Sequence, residues 1–425
     1  MTSQTNETLL GSAYGRTPGK PDETLVHCGP GTPGGELLRR YWQPIALTSE
    51  ATSTPRLIKI LGEELVLFRD GAGQAGLLYP RCSHRGTSLL YGKVEEDGIR
   101  CCYHGWKFAP DGRCMDAPCE PETSSVRRDV RQPWYPVEEH FGLVFAYMGP
   151  PDRKPPFPRL SVAENMSSDE EMVAVHSTSA PNGPDPKLAA RQDYNWTHAL
   201  DNFIDPFHVV VLHCRINGIQ FVEGLGIMPQ VRFEYSENGV RAIATRRLPD
   251  QRIHQRISEV MLPNMHCTPG ITDDDFGVPP VGWVVPSDDT SYSSFILKRI
   301  KRGGEPAAFL KKIGMMTEDW GPKHGRPFFE WTLEEHQHWQ TDYEAQKGQG
   351  DITLHSEEHL ASSDVGISMM RRIFRKQASV VQAGGDPIGV DCSQPYFIDV
   401  VACNSIYTEE GDDVTPRRVA SRRIV

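Results

Sequence analysis

Two short cysteine–histidine units constrain this chain more than any other feature. The first is Cys82-Ser83-His84; after sixteen intervening residues comes Cys101-Cys102-Tyr103-His104. Each unit suits a loop that aims one thiolate and one imidazole at a shared point. Gly86 and Gly105 stand just behind the units, where a backbone without Cβ lets amides approach bound sulfur. Two chemistries use two cysteines and two histidines. One is a structural zinc ion; the other is a [2Fe–2S] cluster in which two thiolates hold one iron and two imidazoles the other. Neutral imidazoles in place of anionic thiolates raise the reduction potential of such a cluster, which accepts and passes on one electron. Keeping the two-residue gap to His104 makes Cys101, not Cys102, the ligand of the second unit.

A chain of 425 residues exceeds the usual single core, so two domains are expected. A formal charge of −11 argues against nucleic acid or an anionic membrane as partner, since both require a basic face. No run of about 18 apolar residues occurs, and Met1-Thr2-Ser3-Gln4-Thr5-Asn6-Glu7 lacks the basic and apolar regions of a signal peptide, so the expected location is cytoplasmic. Ten cysteines are too few for a disulfide scaffold, and Cys114 and Cys119 are expected as free thiols. The stretch Gly29-Pro30-Gly31-Thr32-Pro33-Gly34 matches GxGxxG, but its prolines remove amide donors that a pyrophosphate needs and no strand–turn–helix surrounds it. It reads instead as the start of a short helix through Tyr41, with Thr32 as N-cap and Pro33 at the first helical position. With no nicotinamide or flavin site visible, electrons must come from another protein.

In chain order, residues 1–24 read as a loose polar arm and 1–41 as an N-terminal segment ending in the short helix. From 42 to 150 short strands and turns alternate: Leu57–Ile60 and Leu65–Phe68 flank Gly62-Glu63, and Leu143–Tyr147 closes an all-β module. Five prolines between Gly149 and Pro158 then mark a boundary, because such a stretch continues neither sheet nor helix. The region 151–425 reads as α+β. Asn238-Gly239 signals a hairpin, further strands are expected around 256–262, 281–286 and 292–299, and a helix over 363–382 places Ile367, Met370, Phe374 and Val381 on one face before Gly384.

The second informative stretch is Asp201-Asn202-Phe203-Ile204-Asp205-Pro206-Phe207-His208, ending at His213. Five residues apart, His208 and His213 point about 140° from each other on a regular helix, so they converge only if the helix ends or bulges between them. Two imidazoles and a carboxylate form the facial triad that leaves open positions on non-haem iron(II). Two ordinary histidines beside an apolar run is the other reading.

At both motifs, including the surrounding Arg85-Gly86 and Gly105-Trp106, the chain resembles the Rieske non-haem iron oxygenases. Their acidic-x3-Asp-x2-His-x4-His pattern is met by Asp201, Asp205, His208 and His213. The similarity is to the phthalate-dioxygenase-like branch, in which the oxygenase has one kind of subunit. It implies a Rieske β domain holding a [2Fe–2S] cluster through Cys82, His84, Cys101 and His104, followed by a helix-grip catalytic domain holding mononuclear iron(II). The third iron ligand is then expected at the start of the long C-terminal helix, at Asp364, with Glu357 and Glu358 as competitors. The same resemblance implies that Asp205 links His208 to His104 of a neighbouring subunit, within a head-to-tail trimer or a stack of two trimers. Electrons would come from NAD(P)H through a separate reductase, with or without a ferredoxin. The implied reaction is hydroxylation of an aromatic, carboxylated compound with dioxygen. Removal of a methyl group from an aryl ether uses the same metals, and an electron carrier or sensor lacking the mononuclear iron is the alternative outside enzymes. A substrate carboxylate invites a bidentate arginine; Arg215, Arg246 and Arg247 are candidates, each also readable as a solvated surface charge.

Overall fold

The computed structural model describes residues 13–176, 191–216, 218–220, 223–270, 278–302 and 331–408. Leu61 and Gly62, both at positive φ, turn the chain between Arg56–Ile60 and Glu63–Arg69. These strands pair antiparallel, and Ala75–Leu78 and Trp134–Tyr135 extend the sheet to four. A three-stranded sheet joins Trp42–Leu47, Leu143–Tyr147 and Val137–His140. Beyond them a four-stranded tip runs from Lys93 to Asp116. The tip has its own small core, in which Phe68, Leu89, Ile99 and Phe108 pack around Cys82 and Cys101. The expected all-β module is therefore present, with the two cysteine units on adjacent loops at one end.

The short helix runs Pro33–Arg39, and Thr32 Oγ1 accepts from the Gly35 amide at 3.1 Å. It ends earlier than the expected Tyr41, as the Arg40 amide turns back to the Leu37 carbonyl at 3.1 Å. Of the arm, residues 1–12 lie outside the described residues. The remainder is not loose: the Gly19 amide donates to Glu357 Oε1 at 2.6 Å, and Arg375 Nε to Asp22 Oδ2 at 2.7 Å. Its polar residues find partners more than 300 positions away, which no local pattern shows.

Within the proline stretch, Phe157 stacks on His140 at 3.7 Å between ring centroids. The main core continues past this stretch, with Phe145 edge-on to Trp283 at 5.8 Å. The second half is built on one large antiparallel sheet. Its path runs Glu170–His176, Ser291–Lys301, Val281–Asp288, Met265–Cys267, Ile253–Met261, Gly239–Arg247 and Gln230–Tyr235. The helices Trp196–Ile204 and Val365–Gln382 lie against this sheet. Met370, Ile373 and Phe374 are the buried face of the long helix, and Trp196 meets Phe374 at 5.5 Å. Gly366 allows the close approach, because a Cβ there would lie 2.5 Å from the Phe233 ring. This is the sheet-and-helix grip expected from the sequence.

Candidate metal centres

The two cysteine loops have the same hydrogen-bond design. The Cys82 amide donates to the Thr87 carbonyl at 2.9 Å and the Gly86 amide returns to Cys82 O at 2.8 Å. In the second loop Cys101 donates to Trp106 O at 2.8 Å and Gly105 returns to Cys101 O at 3.1 Å. Gly86 and Gly105 adopt φ of +75° and +73°, which favours glycine and lets each loop close in so few residues. The His84 and His104 rings lie 4.6 Å apart, and Trp106 stacks on His84 at 4.5 Å, fixing that ring from behind. Gln132 clamps the first loop: its Oε1 accepts from the Ser83 amide at 2.8 Å, and its Nε2 donates to the Tyr79 and Arg81 carbonyls, each at 2.8 Å.

This donor set fits a cation-bearing cluster. Burial, and then the Cys101 thiol beside it, push Cys82 up to about 11, so two adjacent thiols need positive charge between them to ionise. His104 Nδ1 is buried with no partner among the described residues, as a coordinating nitrogen requires. Cys101 is buried and Cys102 exposed.

In the second half, Asn195 caps the helix Trp196–Ile204 by accepting from the Thr197 amide at 3.1 Å. Pro206 cannot continue that helix. Asp205 ends it and begins the next, accepting from the Phe207 amide at 2.7 Å. The new segment is α-helical over Phe207–Val211 and widens to a π-helix over Leu212–Ile216. The wider turn supplies the bulge that convergence requires, and the His208 and His213 rings meet at 5.4 Å between centroids.

The third member is Asp342, at the start of the helix Asp342–Lys347. Donor atoms of His208, His213 and Asp342 all lie within 4.8 Å of one another, and among the described residues no other histidine, cysteine or acidic group of three does so. Asp342 Oδ1 is 3.1 Å from His213 Nε2, 3.7 Å from His208 Nε2, and accepts from Asn202 Nδ2 at 3.1 Å. Burial alone would raise this carboxyl, but the two imidazoles and the Asn202 amide outweigh it and hold it below the usual carboxylate range. A preformed anion between two imidazoles fits a divalent metal with open positions.

Asp364 is not in this cluster, which corrects the expectation placed on it. Its Oδ2 accepts from the Ala361 amide at 2.7 Å, so it closes the turn Ser362–Asp364 that leads into the long helix. Glu357 and Glu358 are also engaged elsewhere. Glu357 takes the Gly19 amide, while Arg371 grips Glu358 at 2.6 and 2.8 Å and Asp201 at 2.6 Å. Burial pushes Asp201 up to about 6 despite that arginine, marking it as part of a buried ion cluster beside the site. Asp205 lies 3.5 Å from His208 Nδ1, which is otherwise buried without a hydrogen bond among the described residues.

The candidate arginines separate clearly. Arg215 is exposed and donates to the Gly226 carbonyl at 3.3 Å, and Arg247 is exposed at a strand end. Arg246 is only 2% exposed, with Nε donating to the Ile227 carbonyl at 2.9 Å and Nη1 unpartnered among the described residues. Burial pushes its guanidinium down to about 10, and the neighbouring Cys214 follows directly on His213.

Residues 41–132 match the family model of the Rieske [2Fe-2S] domain. The chain is 45% identical over 401 residues to the phenoxybenzoate dioxygenase subunit alpha of Ectopseudomonas oleovorans, covering 94% of each chain. It belongs to the Rieske oxygenases. A further relative within this family is the tert-butanol monooxygenase / tert-amyl alcohol desaturase oxygenase subunit of Aquincola tertiaricarbonis, 37% identical over 86% of this chain and 78% of that one. Among solved structures, Pseudomonas putida CBB5 NdmB superposes with a TM-score of 0.61 at 18% identity, over 86% of this chain and 96% of its own, and shows the same fold. As a Rieske oxygenase component the protein is an oxidoreductase that uses a [2Fe–2S] cluster, mononuclear iron and electrons from a separate protein.

Proposed function

We propose that His208, His213 and Asp342 hold the mononuclear iron, that Cys82, His84, Cys101 and His104 hold the cluster, and that together they hydroxylate an aromatic carboxylate. The observation that carries this reading is the convergence of two imidazoles and one anionic carboxylate in a chain that also bears the Rieske domain. When bound, the two centres supply single-electron transfer and dioxygen activation. The protein's own residues do the rest. Asn202 and the helix start at Thr341 orient Asp342, and Asp205 holds His208 from its Nδ1 side.

The substrate class rests on two supports. Phenoxybenzoate is named in the most similar relative quoted above, and Arg246 is a buried cation lacking a carboxylate partner among the described residues. A buried guanidinium without an anion is costly, and a substrate carboxylate would satisfy it with charge-assisted hydrogen bonds. The relative named for tert-butanol shows why a charge-specific test is needed.

Domains divide in this reading at about 150, with 42–150 carrying the cluster and 151–425 the iron. Asp205 faces His104 of a neighbouring copy in a head-to-tail trimer or a stack of two trimers. Exposed Tyr103 at the cluster tip and exposed Val211, Ile216 and Ile219 on the iron-bearing segment are apolar surfaces suited to such a contact. A cytoplasmic reductase, directly or through a ferredoxin, delivers electrons from NAD(P)H.

The test is turnover of an aromatic-acid panel with a surrogate reductase under labelled dioxygen, read by mass spectrometry of products. Labelled hydroxyl in the product, three irons per chain (two in the cluster and one beyond it) and an Arg246→Met variant with KM raised about 10-fold or more for acids only are expected. Two irons per chain without product would leave only an electron carrier, and released formaldehyde would make the enzyme a demethylase.

A further inference from the structure

We propose that Gln220 is a positioning residue for the mononuclear metal, selecting the ring nitrogen that His213 offers and tying that ring to the segment carrying Asp342. The proposal rests on the assignment of His213 and Asp342 as ligands.

Three contacts carry it. His213 Nδ1 lies 2.8 Å from Gln220 Oε1, Gln220 Nε2 donates to the Gln340 carbonyl at 2.8 Å, and the Gln220 amide donates to the His213 carbonyl at 2.7 Å. A backbone carbonyl only accepts hydrogen bonds, so the Gln340 carbonyl requires the amide nitrogen of Gln220 on its side. The side-chain oxygen must then face the imidazole. That oxygen also only accepts, so His213 Nδ1 carries the proton. In a neutral imidazole the other nitrogen is then bare, and His213 Nε2 is the atom that faces Asp342 Oδ1 at 3.1 Å. A single carboxamide thus sets the amide orientation, the tautomer and the metal-facing nitrogen in sequence.

The same carboxamide reaches across the site. Gln340 precedes Asp342 by two residues, and the residue between them, Thr341, is fully buried and caps the helix, its amide donating to Glu344 Oε2 at 2.6 Å. Asp342 is therefore held by the helix cap on one side and by the Gln220–Gln340 contact on the other. The two imidazoles are supported differently: His208 Nδ1 faces the Asp205 carboxylate, whereas His213 Nδ1 faces a neutral amide. An amide orients the ring without adding a second negative charge behind it, so the site keeps a single anionic ligand.

Outer supports of metal-binding histidines typically change metal affinity about 10–100-fold. The experiment uses the full-length protein with its cluster intact, stripped of mononuclear iron and titrated anaerobically with ferrous iron against a competing chelator. Gln220→Leu, which keeps bulk but cannot accept, is expected to bind iron about 10–100-fold more weakly. Gln220→Asn, too short to reach the ring but still polar, should show a similar loss and serves if the leucine variant does not fold. Gln220→Glu keeps the acceptor for His213 Nδ1 but loses the donor to the Gln340 carbonyl, so it should bind iron more weakly than the parent and more tightly than the leucine variant. The cluster absorption is expected unchanged in all three. Parent-like affinity in the Leu or Asn variant overturns the proposal, as does an equal loss in the Glu variant. Asp342→Asn is titrated in parallel: a loss there with none in Gln220→Leu rejects the positioning role alone, and no loss in either rejects the ligand assignment beneath it.

Discussion

Replacing Asp342 by asparagine separates the site found in the structure from the one expected at Asp364. Asparagine keeps the shape and can still accept from Asn202 Nδ2, which reaches Asp342 Oδ1 at 3.1 Å, but it removes the charge that, among the described residues, faces both imidazoles. Outer supports alone change metal affinity about 10–100-fold, so loss of the anionic ligand itself should exceed about 100-fold, or roughly 2.8 kcal/mol at 1.4 kcal/mol per decade. Asp364→Ala makes a different change. It deletes one exposed-edge hydrogen bond to the Ala361 amide, costing about 1 kcal/mol of stability and a shift of a few degrees or less in Tm. The assay is anaerobic iron titration with the cluster absorption as internal standard, alongside thermal unfolding and product formation. Asp342→Asn should lose iron and activity with its cluster spectrum intact, while Asp364→Ala should keep both. The reverse pattern, iron lost from the Asp364 variant and retained by the Asp342 variant, would refute the geometric argument.

Three further outcomes follow from the same structure. Cys101→Ala should abolish the cluster's absorption and paramagnetic signal and Cys102→Ala should leave both, since Cys101 is buried beside Cys82 and Cys102 is exposed; a signal lost with Cys102 would change the ligand register. Asp205→Ala should keep both metals near normal occupancy yet slow product-coupled reoxidation of the reduced protein in a single turnover, and rapid reoxidation with product would remove its linking role. Acid stability should report His198, which is buried against the Thr353 hydroxyl at 2.6 Å and pushed down to about 4 by burial. Its folded pKa lies below the unfolded value near 6.5, so the unfolded chain takes up the proton first. Stability then falls as pH drops from about 6.5 to about 4, by about 3 kcal/mol at most. His198→Gln should flatten that part of the pH profile, and an unchanged acid slope would exclude it as the source.

Much of this was legible from residues alone because the deciding signals are local. The two cysteine units close within five residues each, so their spacing already specifies loops that present sulfur and nitrogen together. The Asn238-Gly239 turn, the Thr32 cap and the apolar face of the long helix are equally short-range, and each forms where its pattern predicts. The condition set on His208 and His213, a bulge between them, is met by the π-helical turn. Asp342 was not legible. It lies 129 residues from His213, and its local pattern, Thr341 followed by Glu344, is that of any capped helix. Asp364 sits in an equivalent pattern, so helix-start chemistry could not distinguish them.

Arg246, Gln220 and the arm tell the same story from different positions. An arginine on a strand looks the same whether it faces water or lies beneath the segment carrying His213, and only the nearness of Cys214 and Ile227 to the buried Arg246 decided between them. Gln220 matters because the Gln340 carbonyl, far along the chain, arrives at its amide. The sequence by itself determined which chemistry the loops can hold and which segments form strands and helices, since those depend on neighbours a few bonds away. Which carboxylate lies with His208 and His213, which arginine is buried without a carboxylate partner among the described residues and which amide faces His213 were decided only by tertiary structure, because each depends on burial and on contacts between segments that lie from about 20 to more than 100 positions apart in the chain.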